Sequence, residues 1–110
     1  LARLIVEILR ARLADPPGIG ELCTIIGVPE RTLHLAFHES YGMPPATYLR
    51  RLRLNAARRM LLQGRGPTVA AAAAHFGFFH FGRFSHDYAT MFGEPPSTTL
   101  TGNRRDSASA

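Results

Sequence analysis

The chain carries one pattern twice. Residues 21–45, ELCTIIGVPERTLHLAFHESYGMPP, and residues 71–96, AAAAHFGFFHFGRFSHDYATMFGEPP, share their punctuation. Gly27 matches Gly77 at an offset of 50. After one extra residue in the second copy, Leu33 matches Phe84, Phe37 matches Tyr88, Gly42 matches Gly93 and Pro44-Pro45 matches Pro95-Pro96, all at 51. Each copy spells a short helix, a glycine turn and a second helix stopped by another glycine. Helices joined this way cross closely, so the first needs a small side chain four residues before the turn glycine. Cys23 and Ala73 stand there. The second helix needs an apolar residue soon after the turn, and Leu33 and Phe84 supply it. This is the grammar of a helix-turn-helix, and two such units in one basic domain predict contact with two adjacent major-groove segments of DNA. The simpler alternative is a helical bundle that happens to turn on glycines.

The remaining pattern is helical as well, and no segment alternates as a strand would. Leu4, Ile5, Ile8 and Leu9 predict a helix over residues 1–13, ended by Asp15-Pro16-Pro17-Gly18. Ile19 to Ile26 forms a second, and Pro29 and Glu30 suit the first turn of a third that runs to Tyr41. A long helix then extends from Pro44 or Pro45 to Gln63. Its apolar stripe is Tyr48, Leu49, Leu52, Ala56, Met60 and Leu61, and Arg50, Arg51, Arg53, Arg58 and Arg59 fill much of the rest. At 1.5 Å per residue it spans roughly 30 Å, against about 34 Å for one turn of DNA. A spacer of that length is expected to hold two recognition helices over successive major grooves. Gly64-Arg65-Gly66-Pro67 reads as a loop, Thr68 as the N-cap of a fifth helix through Ala74, Phe81 to Phe92 as a sixth, and Pro95 to Leu100 as a last turn. The division expected is a first subdomain over 1–43, a linking helix over 44–64, a second subdomain over 65–100 and a disordered tail over 101–110.

Charge fits this picture. The 110 residues carry a formal charge of +5, and all 13 positive side chains are arginine. Arginine offers a planar fork of donors suited to phosphates and guanine edges, although a GC-rich genome would also favour it. Cys23 is the only cysteine, so no intramolecular disulfide is available, which suits a reducing compartment such as the cytoplasm. Arginine interrupts every apolar run before it reaches membrane-spanning length, and no signal peptide is apparent. Neither predicts a membrane partner. The chain starts at Leu1, within a helical pattern, which predicts a piece of a longer protein.

No catalytic or metal set emerges. His34 and His38 have helical ligand spacing, but the zinc-protease pattern needs Glu where Leu35 stands. Cys23 reads as a small core residue at a buried crossing. Phe76, Phe78, Phe79, Phe81 and Phe84 offer a stacking platform for single strands, but their place around a turn favours core packing, with Phe81 the best candidate for exposure. Gly64-Arg65-Gly66 lacks the Lys and the flanking strand of a phosphate loop. The expectation is no enzyme activity, no cofactor and no metal.

Residues 27–62, GVPERTLHLAFHESYGMPPATYLRRLRLNAARRMLL, and 68–100, TVAAAAAHFGFFHFGRFSHDYATMFGEPPSTTL, resemble the DNA-binding domain of AraC/XylS-type bacterial transcription regulators. The likeness covers roughly Leu4 to Leu100. Its most specific pieces are residues 48–54 (YLRRLRL), Gly77-Phe78, Phe84 and the ending Phe92-Gly93-Glu94-Pro95-Pro96. The resemblance implies an all-α fold of seven helices, with two helix-turn-helix subdomains joined by a long helix. It also implies a separate effector-binding or dimerisation domain, most often N-terminal, and activation by contact with RNA polymerase. By position, it places Arg31, His34 and Leu35 at the base edges from the first recognition helix, with Thr32 near the backbone. It places Phe81, Gly82, Arg83 and His86 there from the second. Arg31 and Arg83 suit guanine O6 and N7, with a phosphate contact or plain solvation as the alternative. His34 and His86 suit a base or a phosphate, or simple exposure. One or two of Arg50, Arg51 and Arg53 are expected on phosphates, as is Thr68. Three positions depart from the family. Leu35 often is Arg there, leaving only an apolar contact with a thymine methyl. Pro29 replaces the usual Ser cap. Ala72 replaces Ile or Val, which thins the second core unless Phe76, Phe78 and Phe79 fill it. Leu35, Phe81 and Gly82 at reading positions also suit a helical protein-interaction module that keeps the fold without specific DNA reading.

Overall fold

Glycines in the left-handed conformation punctuate the chain. Gly27, Gly42, Gly64, Gly77 and Gly93 all have φ between 62° and 82°, a region that costs any residue with a Cβ. The computed structural model describes residues 1–64 and 68–109, the side chains of 103–109 excepted. Seven helices occupy them: α1 (Ala2–Ala11), α2 (Ile19–Ile26), α3 (Glu30–Tyr41), α4 (Pro45–Gln63), α5 (Val69–His75), α6 (Phe81–Phe92) and α7 (Pro96–Ser109). No strand occurs among the described residues. The expected all-α fold with seven helices is therefore the observed one. α7 runs beyond the single turn expected to end at Leu100, and its backbone is helical through Ser109. The loop assigned to Gly64-Arg65-Gly66-Pro67 lies, apart from Gly64, outside the described residues.

The chain divides into two compact units, Leu1–Arg53 and Leu54–Ala110, with the boundary inside α4. In the first unit α1 buries Ala2, Ile5, Val6 and Leu9, one stripe at helical spacing. Leu4, expected on that stripe, is instead 44% exposed. Leu22, Leu33, Phe37 and Leu52 complete the core, with Ile19, Cys23, Val28 and Tyr48 packed at its edge. Cys23 is half-buried rather than buried, a small residue at the α2–α3 crossing as its spacing required. Phe37, Tyr41 and Tyr48 stack as a trio with ring centroids 4.9–5.5 Å apart. This packing fixes the inner face of α3.

In the second unit α4 contributes Leu54, Ala57 and Leu61, α5 Ala72 and Ala73, α6 Phe84 and Tyr88, and α7 Leu100. Phe76 and Phe78 pack against this cluster beside the fully buried Ala72 and Ala73, so two of the three phenylalanines expected to compensate for the small Ala72 do so. The third, Phe79, does not: it is 87% exposed. A polar relay ties α6 to α7. Tyr88 Oη donates to Thr99 Oγ1 at 2.8 Å, and Thr99 Oγ1 donates to Glu94 Oε1 at 2.7 Å. The guanidinium of Arg58 lies 5.1 Å from the Phe92 ring centroid, a cation–π distance. Burial pushes the Tyr88 hydroxyl above its ordinary value, with the Thr99 hydrogen bond opposing.

Candidate nucleic-acid interface

Both turns close on equivalent carbonyls, one in each copy. Val28 N–H donates to Cys23 O at 3.2 Å, and Phe78 N–H donates to Ala73 O at 2.9 Å. Gly27 and Gly77 adopt φ of 81° and 82°. The small residue four places before each glycine thus serves twice, by letting the helices cross and by accepting the hydrogen bond that reverses the chain. The turns then diverge. α3 starts from Pro29, which offers no side-chain cap. α6 starts from His80, whose Nδ1 accepts the Arg83 N–H at 3.1 Å. That bond satisfies one of the helix's orphan donors. It also requires an unprotonated Nδ1.

Each second helix buries one stripe and presents the other. In α3 the inner stripe is Leu33 and Phe37, and Arg31, Thr32, Leu35 and His38 are exposed. Leu35 is 55% exposed, an apolar side chain on an otherwise polar face. His34 is half-buried, and its Nε2 lies 3.4 Å from Glu30 Oε1 one turn earlier, which places a carboxylate beside the imidazole. In α6 the inner stripe is Phe84 and Tyr88, and Phe81, Gly82, Arg83 and His86 are all exposed. Among the described residues neither Arg31 nor Arg83 takes part in an ion pair. Their positive charge is therefore not neutralised by any described residue.

The arginines of α4 separate into different roles. Arg50 and Arg51 are exposed. Arg53 is half-buried, and its Nε donates to the backbone carbonyl of Leu13 at 3.0 Å. Desolvation lowers its pKa from the ordinary guanidinium value. Arg53 thus fastens α4 to the end of the α1 segment within the first unit, a task the sequence does not reveal because its partner lies 40 residues away. Thr68 is exposed, and its hydroxyl accepts the Ala71 N–H at 3.1 Å as the cap of α5. Among the described residues no group of three or more His, Cys, Asp or Glu is arranged to hold a metal, and His34 and His38 have no third partner.

Two further features are not legible in the sequence. One is the cap formed by His80. The other is Phe79, for which the only sequence signal is the shift in offset from 50 to 51. A phenylalanine left in water forgoes about 1.5–3 kcal/mol of burial, so its exposure is the most costly on this surface.

Comparison with known proteins agrees with this geometry. A family model described as a helix-turn-helix domain matches residues 22–102. A probable thc operon regulatory protein of Rhodococcus erythropolis is 33% identical over 102 residues, covering 91% of this chain and 31% of that protein. The chain thus spans about a third of the length of that protein and of a XylDLEGF operon transcriptional activator of Pseudomonas putida. The crystal structure of a probable AraC family transcriptional regulator from Rhodopseudomonas palustris superposes with a TM-score of 0.87 at 38% identity, covering 93% of this chain and 95% of that one. The DNA-binding domain of AdpA, crystallised with a target DNA, shares the fold at a TM-score of 0.82 and 19% identity, over 96% of this chain and 94% of that one. With its doubled turn, its two outward-facing second helices and a regulator fold matched along nearly its whole length, the chain belongs to the AraC/XylS family of helix-turn-helix domains.

Proposed function

We propose that this chain is the sequence-specific double-stranded DNA-binding domain of a bacterial transcription regulator, and that α3 and α6 each enter a major groove of its target. The observation that carries this reading is the pair of unneutralised arginines, Arg31 and Arg83. Each stands in the first turn of the helix that follows the tight turn, on the face its unit does not bury. Arg31, His34 and Leu35 address one segment, and Phe81, Gly82, Arg83 and His86 address the other. Leu35 offers a methyl contact where a guanidinium would have made hydrogen bonds. Thr32, Arg50, Arg51 and Thr68 serve phosphates. Arg53 has its Nε engaged with Leu13 and contributes mainly by holding α4. The chain acts by binding, without catalysis, in the cytoplasm. An effector-binding domain and contact with RNA polymerase belong to the longer protein.

The test is selection from a randomised duplex library, followed by titration of the enriched duplex at several salt concentrations. Affinity should fall linearly on a log–log plot, with a slope of about −0.9 for each phosphate neutralised. Arg31→Ala and Arg83→Ala should each weaken binding by about 1–3 kcal/mol, and footprints should show loss at different halves of the site. Equal affinity for the enriched and scrambled duplexes would reject specific reading. It would favour the alternative suggested by the exposed Leu35 and Phe81, a helical module that docks on protein.

A further inference from the structure

We propose that Phe79 and Phe81 recognise the 5-methyl groups of thymines in the DNA segment contacted by α6, an inference that rests on the DNA-reading function proposed above. Phe79 is the residue by which the second turn exceeds the first. Gly77 corresponds to Gly27, and Phe78 corresponds to Val28, each donating its N–H to the carbonyl that closes the turn. His80 corresponds to Pro29 as the N-cap of the following helix. Only Phe79 is left over. The first turn closes without such a residue, so turn geometry does not demand it. The core does not use it either, since Phe78 packs inward while Phe79 is 87% exposed. Phe81, at the first position of α6, is 51% exposed. Between them in sequence stands His80, whose Nδ1 accepts the Arg83 N–H at 3.1 Å.

Gly82 adds a second observation. Its φ is outside the left-handed region, and a Cβ built there would meet only the His80 ring, at 3.7 and 3.9 Å, which is ordinary van der Waals contact. The fold therefore does not need glycine at this helical position, where glycine is unfavourable. Its lack of a side chain leaves a gap against the His80 ring, at a place in the chain flanked by the exposed Phe79, Phe81 and Arg83. An apolar pair beside an unneutralised cation matches the major-groove edge of DNA. There the thymine methyl is the apolar feature, and guanine acceptors and phosphates surround it. Two rings of about 150–250 Å² each fall well short of the roughly 800 Å² per partner that a stable protein interface buries.

The experiment replaces thymines with deoxyuridine, one at a time, in the half of the enriched duplex that Arg83→Ala weakens. Deoxyuridine removes the methyl and keeps the hydrogen-bonding edge. One or two replacements should weaken binding by the wild-type chain about fourfold each, as for one buried methyl-sized group. Phe79→Ser and Phe81→Ser should each lose that sensitivity at one position while the footprint stays in place. Thermal melts establish that both variants are folded, and the deoxyuridine series on the wild-type chain needs no variant at all. The inference is overturned if selective binding is intact but no replacement weakens it. It is equally overturned if both serine variants keep the wild-type methyl sensitivity, as they would if these rings docked on a protein. Failure to enrich any duplex would instead remove the DNA-reading function, and this inference with it.

Discussion

Gly82→Ala separates the needs of the fold from those of the surface. Gly82 is the second residue of α6, has no left-handed φ, and has room for a methyl group against the His80 ring at 3.7 Å. Replacing glycine by alanine in a helix gains about 0.5–1 kcal/mol, partly by restricting the unfolded chain. Near a helix end the lower figure applies. In a domain of this size 1 kcal/mol moves the melting temperature by about 4–8 °C, so a rise of roughly 2–4 °C should appear in a thermal melt followed by circular dichroism. DNA affinity should move the other way. The new methyl occupies the gap against the His80 ring, between Phe81 and Arg83 in the chain, and overfilling a close contact costs about 1–3 kcal/mol. The Kd for the enriched duplex should therefore rise at least about fivefold, measured by fluorescence anisotropy at fixed salt. A lowered melting temperature would show that the fold itself requires the glycine. A raised one with unchanged Kd would show that the gap never meets DNA.

Three further predictions concern the supports of the second unit. His80→Ala removes the cap on α6 and should cost about 1 kcal/mol, with His80→Asn largely restoring it; equal melting temperatures for wild type and His80→Ala would contradict the cap. Thr99→Val strands the buried Tyr88 hydroxyl and the Glu94 carboxylate and should destabilise by about 1–3 kcal/mol, whereas Thr99→Ser should behave nearly as wild type in chemical denaturation. The raised pKa of Tyr88 predicts an alkaline limit. Below about pH 10 the hydroxyl is protonated in both states and its contribution is fully present. Above that the unfolded chain loses the proton first, so stability falls as pH rises through the folded value. Tyr88→Phe should flatten the decline of melting temperature above pH 10, and an unchanged slope would argue against Tyr88 as its source.

Helices bounded by glycine were the most legible part of this chain. α2 and α6 occupy the residues that the turn spacing marks out, Ile19–Ile26 and Phe81–Phe92, because only glycine sits comfortably at the left-handed stop. Burial within helices was less legible. α1 has apolar residues on more than one side, and periodicity alone did not decide between Leu4 and the stripe of Ala2, Ile5, Val6 and Leu9 that is buried. α4 serves two cores, so Leu52 in one unit and Leu54 in the other are both buried, and a single-stripe reading misses Leu54. The site divides the same way. Exposure of Arg31, Leu35, Phe81, Arg83 and His86 follows from helical phase relative to Leu33 and Phe84. The fastening of Arg53 to Leu13 and the capping by His80 depend on side-chain reach, which spacing does not encode. Three phenylalanines around one turn look alike in sequence, and only backbone direction sends Phe78 inward and Phe79 out.

The single residue that lengthens the second turn bears on the proposed DNA reading. At an offset of 51 Arg31 falls opposite Gly82, and Arg83 falls opposite Thr32. The guanidinium is therefore displaced one place along its helix, a rotation of about 100°, between otherwise matching frames. If both helices read DNA as proposed, their operator has no reason to be a tandem repeat or a palindrome. An asymmetric operator gives a lone protomer an upstream end and a downstream end, a compass that a two-fold symmetric dimer lacks.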